Sequence, residues 1–216
     1  MDFQKVFRKK KEVILIATIL IFYTVGIIGM SIPAEREYFA SLSYLNLSLS
    51  FALIILGRKT QTLRFLGFLV FCFIIGFVAE LIGVHTGFLF GSYHYGENLG
   101  MKVFEVPLII GLNWGILVVI SASLFQRFQL PIFIKIVLAT VLMVFLDFLM
   151  EPVANDLDFW YWKNDQIPLY NFVCWFAISL ILQYFYGYIY KLAESNRVFN
   201  VLYFVMVIFF SLLNIL

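Results

Sequence analysis

The side chains of this 216-residue chain that could do chemistry are carboxyls inside or beside long apolar stretches. Asp147 and Glu151 stand four residues apart, so they share one face of a helix, which Pro152 is expected to end just beyond them. Two carboxyls held close together in an apolar setting cannot both ionise cheaply. One of them is expected to keep its proton and to act as a general acid. A hydrated helix end, with both groups ionised, is the alternative.

A third carboxyl, Glu80, lies about one turn inside another apolar run, where an ionisable group is costly unless it faces a cavity or a partner. Gly83 and Gly87 follow it, and their spacing predicts a helix face that another helix can approach closely. Simple packing, with Glu80 wetted at the membrane interface, is the alternative for this stretch. Glu80, Asp147 and Glu151 are therefore the candidate catalytic groups.

Aromatic and amide side chains near these carboxyls are candidate substrate contacts. They are Tyr93, Tyr95, Asn113, Trp114, Trp160, Trp162, Asn171 and Trp175. An aromatic belt at the membrane surface explains Trp160 and Trp162, but not Trp114, which is expected near mid-membrane. Aromatic faces in an apolar cavity can line a polyene or stabilise a cation. His85 and His94 are expected in a loop, where solvation is cheap, and so outside the site.

Metal and cofactor chemistry has little support in the sequence. Cys72 and Cys174 lack paired spacing, and no phosphate-binding loop or dinucleotide fingerprint occurs. The run Asn155-Asp156-Leu157-Asp158 faintly resembles a magnesium-diphosphate motif, but only three cationic side chains are expected on its side of the membrane. The expected site therefore has no metal and no cofactor.

The elements that must position these residues are membrane-spanning helices. Hydrophobic residues make up 63% of the chain, charged residues only 13%, and the mean hydropathy is +0.97, which is far from a soluble domain. The sequence predicts an all-α fold with seven spans in a single transmembrane domain, residues 1–216. The spans are expected at about 13–32, 38–57, 63–84, 103–125, 131–150, 168–190 and 198–216. The net charge of +2 is too small for a nucleic-acid surface.

Alternate connections differ in charge, which predicts the orientation. Twelve of the fifteen Lys and Arg residues fall on one side of the predicted spans and three on the other, which places the amino terminus in the cytoplasm and the carboxyl terminus outside. We expect a multi-pass protein of the cell (inner) membrane. Ten of the thirteen acids lie at the outer side, where the two longest connections, 85–102 and 151–167, also lie. Function is expected there.

The order of these residues along the chain is distinctive over about residues 80–178. The set is Glu80, Gly83, Gly87, Gly91, Tyr93, Tyr95, Pro107, Trp114, Asp147, Glu151-Pro152-Val153-Ala154, Trp160, Trp162, Pro168, Asn171 and Trp175-Phe176. This order resembles the carotenoid hydratases of the CruF type and the bisanhydrobacterioruberin hydratases.

The resemblance implies a hydro-lyase that adds water across the terminal C=C of an acyclic carotenoid end group, lycopene-like, γ-carotene-like or longer, to give a tertiary alcohol. The partners would be a lipophilic carotenoid, water and membrane lipid. The chemistry agrees, because alkene hydration needs an acid, shielding for a tertiary cation and one positioned water, but no redox cofactor. A non-catalytic carotenoid-binding or small-solute transport protein is the alternative.

Overall fold

The computed structural model describes residues 3–59 and 63–216, with side chains from residue 6 onward. Long apolar runs become helices because, in lipid, each backbone polar group must be satisfied within its own segment. The helices are α1 (Phe3–Ser31), α2 (Arg36–Ser41), α3 (Ser43–Gly57), α4 (Leu63–Thr86), α5 (Leu108–Phe125), α6 (Ile132–Ala154), α7 (Leu169–Tyr184), continued by a π-helical turn Phe185–Ile189, and α8 (Arg197–Leu213).

The predicted all-α class is observed, and six segments are long and apolar enough to cross a membrane. One of them joins α2 to α3 through a break at Leu42. The seventh expected span corresponds to α8, a shorter apolar helix of 17 residues, which is about 25 Å long at 1.5 Å per residue. The structure thus gives six candidate spans and one shorter apolar helix.

Helix α5 forms the centre of the bundle. Of its 18 residues, 83% are buried, whereas 22–39% are buried in the most apolar 18-residue stretches of the other five candidate spans. It packs against α3, α4, α6 and α8. Side chains on α5 therefore meet several neighbours at once, and those near its start can reach residues of both α4 and α6.

Contacts between helix ends show that successive spans run in opposite directions. At the end that we call the basic end, Arg197 pairs with Glu12 at 3.1 Å, and the Arg58 guanidinium donates to the carbonyl oxygen of Leu192. At the opposite end, which we call the acidic end, Asn214 donates to the carbonyl oxygen of Leu149. The end of α4, the start of α5 and the end of α6 meet at the acidic end.

Four short strands, none of them predicted, lie at the acidic end. Strand β1 (Tyr93–Tyr95) pairs antiparallel with β4 (Trp160–Trp162), and β2 (Lys102–Val103) pairs with β3 (Val106–Pro107). The hairpin of β2 and β3 occupies residues that were expected to begin a span. Helix α5 therefore starts at Leu108, five residues later than expected, and Trp114 lies in its second turn.

Three local predictions about α6 and α4 are wrong. Pro152 does not end α6, which continues to Ala154 because Val153 and Ala154 are buried in the core and hold the last turn. Gly87 is not on a helix face, since it follows the end of α4 in the left-handed region at φ +65°. His85 was expected in a loop, but it belongs to the last turn of α4 and contacts the carbonyl oxygen of Phe104 at 3.0 Å.

Candidate active site

Glu80 is buried near the end of α4 and accepts three hydrogen bonds from other elements. Its Oε2 accepts from the hydroxyls of Tyr93 at 2.6 Å and Tyr95 at 2.8 Å, and its Oε1 accepts from the Trp114 indole nitrogen at 3.1 Å. The side chain is 3% exposed. These donors compensate a carboxylate that has been removed from water.

Two glycines of α4 make room for the Glu80 donors. Gly76 and Gly83 share the helix face of Glu80, because they lie four residues before it and three residues after it. A Cβ at Gly76 would collide with the Trp114 ring, and one at Gly83 would lie 2.6 Å from the Tyr93 hydroxyl oxygen. Gly83 therefore makes room for Tyr93, a side chain of the connection that follows α4. Its spacing had predicted contact with a neighbouring helix instead.

Asp147 and Glu151 share one face of α6, as their spacing predicted, and Asn171 of α7 joins them. The Asn171 amide nitrogen donates to Asp147 Oδ2 at 3.1 Å and to Glu151 Oε1 at 2.8 Å. Glu151 Oε2 also accepts from the indole nitrogens of Trp160 at 3.0 Å and Trp162 at 2.6 Å. Asp147, Glu151 and Asn171 are all at most 5% exposed.

The small sheet of β1 and β4 covers these carboxyls. Tyr93 lies opposite Trp162 and Tyr95 opposite Trp160, so these four side chains share the face that meets the carboxyls, since alternate strand residues point the same way. Burial and the neighbouring Glu80 carboxylate raise the pKa of the Tyr93 and Tyr95 hydroxyls. Both tyrosines therefore stay protonated and remain donors.

Asp158 fixes the end of this sheet. Its Oδ1 accepts from the Tyr161 hydroxyl at 2.8 Å, and its Oδ2 accepts from the Glu97 amide at 2.9 Å. A Cβ at Gly96 would collide with Asp158. Asp158, the last residue of the run that faintly resembles a magnesium-diphosphate motif, therefore stabilises a turn. Within residues 3–59 and 63–216, no three His, Cys, Asp or Glu side chains are grouped so as to hold a metal ion.

The carboxyls surround a cavity of about 30 Å³, which we call the acidic cavity. This volume accommodates about two waters, at roughly 10–15 Å³ each. The lining residues are Glu80, Phe90, Tyr93, Tyr95, Ile110, Asn113, Asp147, Met150, Glu151, Trp160, Trp162, Asn171 and Trp175. The fold therefore brings together all the predicted site residues except Trp114.

Trp114 lies behind the cavity wall, fully buried. Its ring stacks on Trp175, with centroids 4.0 Å apart and planes 13° apart, while Gly76 lies against it on α4. The indole that faces the cavity is that of Trp175. Phe90, Ile110 and Met150 are lining residues that the sequence analysis missed. Helical spacing could have found two of them, since Ile110 is three residues before Asn113 and Met150 three after Asp147.

A second cavity of about 220 Å³, which we call the apolar cavity, adjoins the acidic cavity. Both cavities are lined by Ile110, Asn113, Met150 and Trp160. The apolar cavity extends from these residues between α1, α3 and α8. An elongated apolar ligand lying in it would have one end at the carboxyls.

Fold and site define a polytopic helical membrane protein with a buried carboxyl cluster beneath an aromatic sheet. The carotenoid biosynthesis protein family matches residues 39–216, and the chain belongs to this family. A bisanhydrobacterioruberin hydratase from Haloarcula japonica is 28% identical over 109 residues, covering 44% of this chain and 36% of that protein. The predicted resemblance to carotenoid hydratases is thereby confirmed, although the chain spans only about a third of this relative's length. No solved structure matches the chain.

Proposed function

We propose that this protein is a carotenoid hydratase that adds water across the terminal C=C of an acyclic carotenoid end group to give a tertiary alcohol. The observation that carries the proposal is the junction of two cavities, one acidic and lined by Glu80, Asp147 and Glu151, the other apolar and long. Membership of a carotenoid biosynthesis family and the similarity to a named hydratase support it. The site would lie at the outer side of the cell (inner) membrane.

Asp147 is the general acid in this proposal. Three carboxyls around so small a cavity cannot all be ionised at low cost. Glu80 and Glu151 each accept three hydrogen bonds from indole, phenol or amide donors, which favour the ionised form. Asp147 is 1% exposed and accepts from Asn171. The proton is therefore held by Asp147 and passes to the less substituted alkene carbon.

The tertiary cation that forms is shielded by the walls of the acidic cavity. Trp175 and Trp160 present aromatic surface to it, and the Glu80 and Glu151 carboxylates supply negative charge close by. Cations gain stabilisation over an indole face, more so where water is excluded. Because the acidic cavity holds only about two waters, few competing molecules surround the cation.

Asn113 positions the attacking water. Its side-chain oxygen is buried without a hydrogen-bond partner among the described residues, and Asn113 lines both cavities. If the amide turns toward the junction of the two cavities, a water that donates to this oxygen would lie beside the reacting carbon. The water oxygen bonds to the tertiary carbon and gives a proton to Glu151, from which Asp147 is reprotonated. One water is added and the carboxyls return to their starting state.

The test is expression in cells that make lycopene or γ-carotene, followed by mass analysis of the pigments. We expect a product heavier by one water. Asp147→Asn and Glu151→Gln should each lower its formation about 10²- to 10⁴-fold, the usual contribution of general acid–base catalysis. Asp156→Asn, an exposed acid in the same connection as β4, is the matched control and should keep full activity.

Two outcomes contradict the mechanism in different ways. Full activity of both Asp147→Asn and Glu151→Gln would end the role of the carboxyls. Pigment that copurifies unaltered with the wild-type protein would favour a non-catalytic carotenoid-binding protein, for which the apolar cavity alone would suffice.

A further inference from the structure

We propose that the substrate enters sideways from the bilayer between α1 and α3, reacting end first, and that the apolar cavity holds only its end segment. The inference rests on the proposed function for the nature of the substrate. The mouth of the cavity is formed by Phe22 and Val25 of α1 and Leu45 of α3, which are 52%, 49% and 51% exposed. On membrane-spanning helices, such exposed apolar side chains face lipid.

The inner part of the same cavity is closed by buried side chains. Tyr23, Met30 and Phe209 line it and are 3–6% exposed, and Asn113 and Met150 stand at its junction with the acidic cavity. The space therefore leads from lipid to the carboxyls along an almost wholly apolar surface. A hydrocarbon chain can follow this path without passing through water.

Two amide side chains among the lining residues mark the places where the apolar cavity is polar. The side-chain oxygens of Asn46 and Asn113 are buried and, among the described residues, neither has a hydrogen-bond partner. Both residues line the apolar cavity, and Asn113 is only 6% exposed. Buried polar atoms without partners are rare in native proteins. A hydrocarbon has no donor to offer them, so their donor would be a water that stays beside the substrate.

The volume sets how much of the substrate is enclosed. At roughly 10–15 Å³ per water-sized group, 220 Å³ corresponds to about 15–22 such groups. A carotenoid with about forty carbon atoms is larger, so the remainder of the polyene would stay between lipid chains outside the mouth. The protein would then select the acyclic end group and be indifferent to the other end of the molecule.

The entry route is tested by filling the apolar cavity. Ser43 lines the cavity at the start of α3, and Ser43→Trp should lower hydration at least tenfold. Leu56→Trp is the matched control, because Leu56 lies on the same helix, is 50% exposed and does not line the cavity. It should leave hydration unchanged. Val25→Trp narrows the mouth from the side of α1, and it replaces Ser43→Trp in the test if that variant does not fold.

Pigment retention gives a readout that does not need turnover. In an Asp147→Asn background, protein purified from lycopene-making cells should keep bound lycopene, and Ser43→Trp or Val25→Trp should reduce the retained amount at least fivefold. Equal activity and equal retention in the Ser43→Trp, Val25→Trp and Leu56→Trp variants would overturn the proposed entry route while leaving a hydratase intact. Absence of hydration in the wild-type protein, with retention that still depends on the mouth, would instead overturn the proposed function and keep the route.

Indifference to the far end is tested with two substrates that share the reacting end. Lycopene has a second acyclic end, and γ-carotene has a ring there. The hydration rate per acyclic end should agree within about twofold in detergent or liposomes. A rate more than tenfold lower for γ-carotene would show that the protein encloses the far end and would overturn the partial enclosure.

Discussion

At the residue scale, the two stacked indoles have different environments and should respond differently to mutation. Trp175 faces the acidic cavity. Trp114 lies behind Trp175, and its indole nitrogen donates a hydrogen bond to Glu80. A desolvated ring face stabilises a cation by about 1–2 kcal/mol, or roughly tenfold in rate. Of the two stacked rings, that of Trp175 could act in this way.

We therefore expect Trp175→Phe to keep part of the hydration activity and Trp175→Leu to lose about tenfold more. Phe and Leu at Trp114 should resemble each other, because both remove the indole donor to Glu80. Product formation per folded protein is the measurement. Equal specific activities of Trp175→Phe and Trp175→Leu would contradict a cation-stabilising ring and leave the acid chemistry unaffected.

Asn113 offers a second test at this scale, because its unpartnered oxygen is assigned to the attacking water. Asn113→Leu keeps similar volume but cannot accept a hydrogen bond, so hydration should fall at least tenfold while retained pigment stays constant. Ser179 also has a buried side-chain oxygen without a partner among the described residues, but it lines neither cavity. Ser179→Ala is thus the control, and matching losses in both variants would indicate a general packing effect.

At the element scale, α4 and the sheet of β1 and β4 form a unit that holds Glu80. The sheet joins residues that are 65 to 69 positions apart along the chain, from Tyr95 with Trp160 to Tyr93 with Trp162, in one antiparallel register. The helix accepts the sheet's side chains at its glycines. The carboxyl cluster is therefore organised by the fit between a helix face and a strand face.

Gly83→Ala should disturb this fit, because the new methyl group would lie 2.6 Å from the Tyr93 hydroxyl oxygen that donates to Glu80. We expect hydration to fall severalfold. Gly67→Ala is the matched control on the same helix, since a Cβ there has no neighbour within 4 Å. It should leave activity unchanged and stabilise the helix by up to about 1 kcal/mol. Rates and thermal unfolding of both variants in detergent are the measurements, and equal activity would show that Tyr93 has room to move.

At the scale of the whole molecule, charge is distributed unevenly between the two ends of the bundle. Arg58, Lys59, Arg64 and Arg197 lie together at the basic end, where they contact the segment between α7 and α8 or the start of α1. The carboxyl cluster lies at the acidic end. Basic residues concentrate on the cytoplasmic side of membrane proteins, so the cluster is expected to face outward.

A reporter that is active only outside the cytoplasm should therefore function when fused after Leu216. The same reporter inserted in the connection 126–131, at the basic end, should be silent there, while a cytoplasmic reporter should show the reverse pattern. The comparison of the two fusion sites controls for expression. A cytoplasmic signal after Leu216 would contradict the orientation or the crossing of the membrane by α8.

Much of the fold could be predicted from the sequence, because hydropathy acts locally. A long apolar run in lipid strongly favours a helix, which is why the bounds of α4 and α6 and the end of α3 fall close to the expected ones. The candidate carboxyls could be found in the same way, since Glu80, Asp147 and Glu151 are costly in such segments unless something compensates them.

What compensates those carboxyls was decided only by the tertiary structure. The sequence does not encode locally that Tyr93 and Trp162 lie side by side in the wall of the acidic cavity, or that Trp175 stacks on Trp114. Short strands such as β1 and β4 carry too few residues for their alternation to stand out from an aromatic belt. Their register is set by the helices on which they rest. Helix propensity and hydropathy fix the segments, whereas the donors to each carboxyl depend on contacts between residues distant along the chain.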